Sequence, residues 1–491
     1  MAVGATGFWK FLSFFNALLV AAFFGVTLET DVYFYLLFLI GLLLFFIQTF
    51  NTTSIIPQAI VLEQTQPGEG RKVLNFFLLV YMIGSTLLFI AGILFPTYLI
   101  AGVSRFSVEQ VAQFSLLVRL SFLLFGLQLF TNYFTSILEM YHRFSVALLS
   151  PLNAIIPLIC LLLWGKKAGI ISMMYGFVLS YAIQTVLLGH AMHKELQWNL
   201  IIRGYKLSAR LKNNLFSIAI QSVLNIVCSW VPLYLLSGLG VGWISALNYA
   251  RQLAETPSEI LTQRITNLSK IQLTEQVAKQ DWKQGNINYL SINHWLIFTL
   301  APLTVFSCFY APEIIIMFFK RGAFTMQDAV LSAGFLRPLL FVMLFMVPGT
   351  LQTTVLSSTR TWKEFLPYSF IGYGAFLVAI PITMHIWGGL AYPYTLLATN
   401  LIGTAAVYIC ARKYAPAWDG PTSLKQLARI LSLNIIALVP AAVYGWYFAG
   451  PNPWSTVFIG GIIFMGTLCA LSAYSGDLQF FIRQSFSKSN H

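Results

Sequence analysis

Charge is what this sequence has least of. Only 9% of its 491 residues are Asp, Glu, Lys or Arg, against about 25% in soluble domains. With 58% hydrophobic residues and a mean hydropathy of +0.75, a soluble globular chain is excluded and an integral membrane protein is implied. Alternation of apolar and polar residues is also missing. The apolar runs are continuous and long enough for one helical crossing, about 20 residues each, whereas barrel strands would alternate. Cysteine is scarce: Cys160, Cys228, Cys308, Cys410 and Cys469 all fall in apolar stretches with no CxxC pair, which excludes a disulfide framework or a zinc site. His190 and His193 share one helical face but have no third ligand nearby in sequence, so no metal is expected. No basic region precedes the first apolar run, which reads as a retained first helix.

The charge that is present is unevenly spread. The net charge is +13, and most Lys and Arg fall in alternate connections and tails, leaving Arg105, Lys166, Lys167, Lys320 and Arg321 on the opposite side. That asymmetry orients the chain by the positive-inside rule, with both termini cytoplasmic. It assigns the charge to topology and not to nucleic acid.

About fourteen apolar stretches are long enough to span a membrane. Among them are 7–27, 31–52, 75–100, 215–238, 241–263 and 454–474. The longest polar connections, 191–214 and 264–287, fall on the basic side. A weak internal repeat aligns Phe144 with Phe365, Trp164 with Trp387 and Arg119 with Arg337 at nearly equal offsets. The reading is an all-α polytopic protein of two six-helix lobes plus two C-terminal helices. Its parts are an N-terminal lobe at 1–190, a basic cytoplasmic linker at 191–214, a C-terminal lobe at 215–413, and the last two helices with a tail at 414–491. Paired repeats of this kind commonly flank a transport site near the midplane.

One stretch breaks the apolar pattern, VGWISALNYARQLAETPSE at 241–259. Arg251 and Glu255 are four residues apart and share a helix face. Charges in hydrocarbon normally face the protein interior or a watery cavity. Pro257 is expected to interrupt the helix two residues later.

Several motifs resemble the lipid II flippase (MurJ, or MviN) family of the multidrug/oligosaccharidyl-lipid/polysaccharide exporter superfamily. They are FKRGAFTMQDA at 319–329, FGVTLETDVYF at 24–34, RFSVALLSPLN at 143–153, YARQLAETPSEIL at 249–261 and GGLAYPYTLLATNL at 388–401. Their order and spacing follow the family along nearly the whole chain. The resemblance implies a V-shaped pair of lobes around a central cavity, with the last two helices forming a groove for a lipid tail. It also implies that an undecaprenyl-pyrophosphate-linked sugar crosses the bacterial inner membrane by alternating access, without covalent chemistry or a cofactor. A coupled ion (Na+ or H+) or the membrane potential would drive it. A pyrophosphate in a low-dielectric cavity needs cations.

The family's cavity arginines are only partly present. Lys10 and Asn16 stand at the first-helix places, Leu43 and Leu44 at the second-helix places, and Arg251-Gln252 replaces an aspartate-arginine pair. Asp31, Glu255 and Pro257 match. The candidate substrate contacts are therefore Arg251, Glu255, Asp31, Lys10, Asn16 and Gln252. Asp31 also reads as a cap on the helix it opens. Arg119, Arg337, Arg321 and Asp328 are candidates for gating or an exit-side anion site, Arg321-Gly322 as a tight hinge turn and Asp328 as a helix cap.

The expected cargo is lipid II or a related lipid-linked glycan, with membrane lipids and envelope-synthesis proteins as further partners. The altered cavity positions leave two alternatives: a flippase for an exopolysaccharide or O-antigen-type unit, and a transport-silent scaffold. A membrane glycosyltransferase fits less well, because the outer connections offer only Glu29, Asp31, Glu109, Glu313 and Asp328, several of them at helix starts.

Overall fold

The computed structural model describes residues 2–66, 68–199, 209–359, 362–414, 418–448 and 450–476. Within them every regular element is helical. Arg203 and Lys206 of the expected basic linker, and the tail from 477 onward, lie outside the described residues. Each of the fourteen expected stretches has a helical counterpart. Ten are long and apolar enough to cross a membrane, and Trp9–Phe24 and Ser222–Leu236 are shorter apolar helices. The remaining two depart in length or polarity: Leu152–Ala168 has only 17 residues, and Trp243–Ala278 runs 36 residues with polar side chains along much of it. The chain is a polytopic membrane protein.

Packing divides it into two units, Met1–Ser245 and Ala246–His491. The helix Ala209–Leu236, placed by the sequence with the C-terminal lobe, packs on Leu28–Phe50 within the first unit.

In the first unit, Leu28–Phe50 continues through a π-helical turn at Asn51–Ile55 into Ile56–Thr65. The expected end at 52 is thus corrected to a longer helix. Pro57 has no N–H to give the ladder, and the wider turn just before it re-routes the bonding, with the Ile56 amide donating to the Asn51 carbonyl. Thr52 adds a hydroxyl bond to the Gln48 carbonyl at 2.9 Å, and Tyr81 donates to the Asn51 amide oxygen at 2.6 Å. The stretch expected at 75–100 is two helices, Glu69–Leu94 and Pro96–Val103. Pro96 disfavours helical geometry in the residue before it and starts a new helix at a position needing no N–H.

Small residues set the close contacts, as they do where helices pack in lipid. Gly176 lies so near the helix Leu152–Ala168 that an added Cβ would meet the Pro157 nitrogen at 2.9 Å and the Cys160 Cβ at 3.2 Å. Backbone cannot move aside cheaply, so Gly176→Val is expected to cost about 3 kcal/mol by overpacking. A fall in the folded, detergent-stable fraction by size-exclusion chromatography checks this; a wild-type profile would refute the close packing.

Among the described residues the second unit has two apolar centres. One joins Trp282–Phe309, Met326–Thr359 and Gly420–Tyr447 around Tyr289, Leu296, Leu344 and Ile430. The other joins Ala311–Phe319 to the last two helices through Tyr310, Ile314, Ala441 and Phe464. Tyr310 closes it by donating to the Ala441 carbonyl at 2.6 Å.

Candidate functional site

The start of the helix Trp243–Ala278 holds the buried charge of the first unit. Asp31 is fully buried. It does not cap its own helix, as its place beside Thr30 suggested. That end is closed by a capping box in which Thr27 accepts from the Thr30 amide and Thr30 accepts from the Thr27 amide. The Asp31 carboxylate instead accepts from the Gly242 amide, from the Ser245 amide at 2.7 Å and from the Ser245 hydroxyl at 2.6 Å. An anion there satisfies otherwise orphaned N–H groups and meets the positive end of the helix dipole. Thr30 adds a 2.8 Å contact to the Ser245 hydroxyl. Gly242 takes φ +96°, and a side chain on it would press on Val26. Glu29, two residues earlier, accepts from the Ile170 amide at 2.9 Å. Both acidic residues of TLETD therefore hold distant chain segments.

Asn16 and Lys10 have separate surroundings. Asn16 is buried and donates to the Ala154 carbonyl at 2.9 Å, tying the first helix to Leu152–Ala168. Next to Ala154, Asn153 accepts from Gln184 at 2.7 Å and from Ser180 at 3.1 Å, and Gln184 also donates to the Leu149 carbonyl at 3.0 Å. This polar knot among Asn153, Ser180 and Gln184 was not visible in sequence, where the three residues sit singly in apolar runs. Lys10 is half-buried with its ammonium 5.0 Å from the Trp9 ring centroid, a cation–π arrangement suited to a snorkelling lysine.

In the second unit, Arg251 and Glu255 form the expected pair. Arg251 Nε meets Glu255 Oε1 at 2.8 Å, and the two side chains are 32% and 33% exposed. Both charges bear on Tyr392 of the helix Ala391–Tyr414. Gln252 is half-buried beside them. Pro257 does not interrupt this helix, which is continuous from Trp243 to Ala278. Proline deletes one hydrogen bond and bends a helix, and a long helix can absorb that loss. Most of the connection expected at 264–287 is consequently helical, with a turn before Asp281, which caps Trp282–Phe309 through the Gln284 amide at 3.1 Å.

Two of the sequence motifs meet directly. Tyr249, fully buried, stands between Phe319 and Phe324 with ring centroids at 5.2 and 5.6 Å. The ALNYARQLAE stretch is thereby seated on the KRGAFT turn. Within that turn Gly322 takes φ +60°, the left-handed geometry that glycine accepts readily. Arg321 is exposed, and Thr325 and Asp328 exchange bonds at 2.8 and 3.3 Å, closing the start of Met326–Thr359. Arg119 and Arg337 are exposed on Ser115–Met140 and Met326–Thr359. The structure therefore gathers Asp31 with Gly242 and Ser245, and Arg251 with Glu255, while Asn16 is joined to Ala154 and Lys10 lies over the Trp9 ring.

The fold defines the class first: an all-helical, multi-pass membrane architecture of the kind seen in solved transporters of the MOP superfamily. The chain is similar to a solved structure titled lipid II flippase MurJ, inward closed conformation, at TM-score 0.73 and 19% identity, covering 96% of this chain and 98% of that one. It also resembles an inward-facing multidrug resistance MATE family transporter of that superfamily, at TM-score 0.56 and 13% identity, covering 84% and 94%. A variant of the Vibrio cholerae MATE transporter VcmN gives TM-score 0.56 at 12% identity, covering 85% and 95%. Among curated proteins none matches it by sequence. The family model described as lipid II flippase MurJ matches residues 20–465. The chain belongs to the MurJ lipid II flippase family.

Proposed function

We propose that this protein moves an undecaprenyl-pyrophosphate-linked glycan across the bacterial inner membrane by alternating access, with both termini in the cytoplasm. The family match over 20–465 carries the reading, and the skew of Lys and Arg to alternate connections supports the orientation. Arg251 is the pyrophosphate contact. It is paired with Glu255 at 2.8 Å, so the guanidinium is held in place and compensated. A pyrophosphate bearing two or more negative charges competes for the same guanidinium and offers two oxygens to its planar fork. Glu255 then positions the arginine, and Gln252 lies beside it for neutral hydrogen bonds to the sugar. Asp31 keeps the helix that carries Arg251 anchored at its first turn. The membrane potential, worth about 2.3 kcal/mol per charge at 100 mV, or a coupled Na+ or H+ supplies the drive.

The cation set favours a second cargo alongside lipid II. Asn16 is occupied with the Ala154 carbonyl and Lys10 rests on Trp9, so the first helix presents no guanidinium. An exopolysaccharide or O-antigen-type lipid-linked unit needs no more than the same pyrophosphate contact. Complementation in cells whose own lipid II flippase can be switched off separates the two. Rescue assigns lipid II. Failure of a well-expressed chain moves the assignment to another lipid-linked glycan, and failure with every such glycan leaves the scaffold reading.

A further inference from the structure

The second unit contains a cavity of about 530 Å³ at the end of its helices marked by Trp446. Its walls come from the end of Trp282–Phe309, the start of Ala311–Phe319, and from Met326–Thr359 and Gly420–Tyr447. Three of its features point one way. Phe341, Ile435 and Leu438 make one wall apolar. Trp446, Tyr447 and Phe448 are each more than 70% exposed at the end of their helix, an aromatic cluster of the kind found where membrane meets water. Arg337 and Glu313 both line the space, and neither is in an ion pair among the described residues. Arg337 is exposed and Glu313 half-buried, so two opposite charges in one apolar-walled recess are open to complements brought from outside.

We propose that the cavity is a binding site for a zwitterionic aminophospholipid of the phosphatidylethanolamine class. Its phosphate lies on Arg337, where the guanidinium fork matches two phosphate oxygens. Its ammonium lies on Glu313, and an acyl chain runs along Phe341, Ile435 and Leu438. Trp446 meets Phe309 edge to face with ring centroids at 5.6 Å and closes the edge. Gly445 lets the Tyr310 hydroxyl pass close by: an added Cβ would sit 3.1 Å from it. The wall is thus fixed by packing before any lipid arrives. Phosphatidylglycerol carries the same phosphate for Arg337 but offers Glu313 only a neutral glycerol where the ethanolamine lipid offers an ammonium, so the site selects the zwitterion.

Native mass spectrometry of the purified, delipidated full chain with equimolar phosphatidylethanolamine and phosphatidylglycerol tests this. The wild type is expected to retain the ethanolamine lipid roughly tenfold better, a difference of about 1.4 kcal/mol. Arg337→Ala is expected to lose that adduct, and Glu313→Gln to reverse the preference towards phosphatidylglycerol. Should Arg337→Ala not yield folded protein, Phe341→Trp, which narrows the apolar wall and keeps both charges, is expected to weaken the adduct. Equal retention of the two lipids by the wild type, an undiminished adduct in Arg337→Ala or Phe341→Trp, or an unchanged preference in Glu313→Gln would overturn the proposal.

Discussion

Arg251→Ala is expected to abolish flipping while leaving the protein folded and inserted. Removing one partner of a hydrogen-bonded charge pair costs about 2–5 kcal/mol in binding, so flipping should fall by roughly a hundredfold or more, as 1.4 kcal/mol is one factor of ten. Glu255 would then be left half-buried without the guanidinium that meets it at 2.8 Å. Arg251→Lys keeps the charge but replaces the planar fork with a point charge, and partial activity is expected. The competing explanation is that the pair only holds its helix in place. A double replacement, Arg251→Met with Glu255→Met, separates the two, since removing both charges together relieves a structural pair. Flipping that returns in the double variant would assign a structural role. Flipping that stays absent with unchanged thermal stability fits a pyrophosphate contact.

The second large effect is on stability. Asp31→Ala strips an acceptor from two backbone amides and one hydroxyl in a fully buried place. Hydrogen bonds to a charged group contribute about 1.5–3 kcal/mol each, and donors left buried without a partner add to the loss. A destabilisation of about 3–5 kcal/mol is expected on that basis, beyond the ~1 kcal/mol of an ordinary helix cap. Asp31→Asn retains one acceptor oxygen but turns an NH2 towards the Gly242 amide, so an intermediate loss is expected. Thermal unfolding in detergent reads this directly. An Asp31→Ala chain as stable as the wild type would show that the carboxylate is not the anchor of Trp243–Ala278.

What the sequence disclosed and what it hid follow from distance along the chain. Helical spans were legible because continuous apolar runs carry their own signal. The Arg251–Glu255 pair was legible because four residues make one helical turn and a little more. So was the closing of Met326–Thr359 by Asp328, whose partner Thr325 is three residues away. The partner of Asp31 was not, because the amide it holds at Ser245 is 214 residues away, and a carboxylate near a helix start looks the same whichever helix it caps. The amide NH2 of Asn16 meets the Ala154 carbonyl 138 residues on, a contact equally invisible in sequence. Pro257 predicts a break because proline usually makes one, but the long helix accommodates it. The π-helical turn ahead of Pro57 has no sequence signature of its own beyond that proline.

The central claim is that this chain translocates a lipid-linked glycan and uses Arg251 to do it. Purified protein reconstituted into liposomes with fluorescent undecaprenyl-pyrophosphate glycan, read by the fraction of headgroups becoming accessible to an impermeant quencher, tests it most directly. Translocation by the wild type that falls to the protein-free level in Arg251→Ala, across lipid II and at least one other glycan, is the expected result. Equal headgroup accessibility with the wild type, with Arg251→Ala and with no protein would contradict it and leave a scaffold.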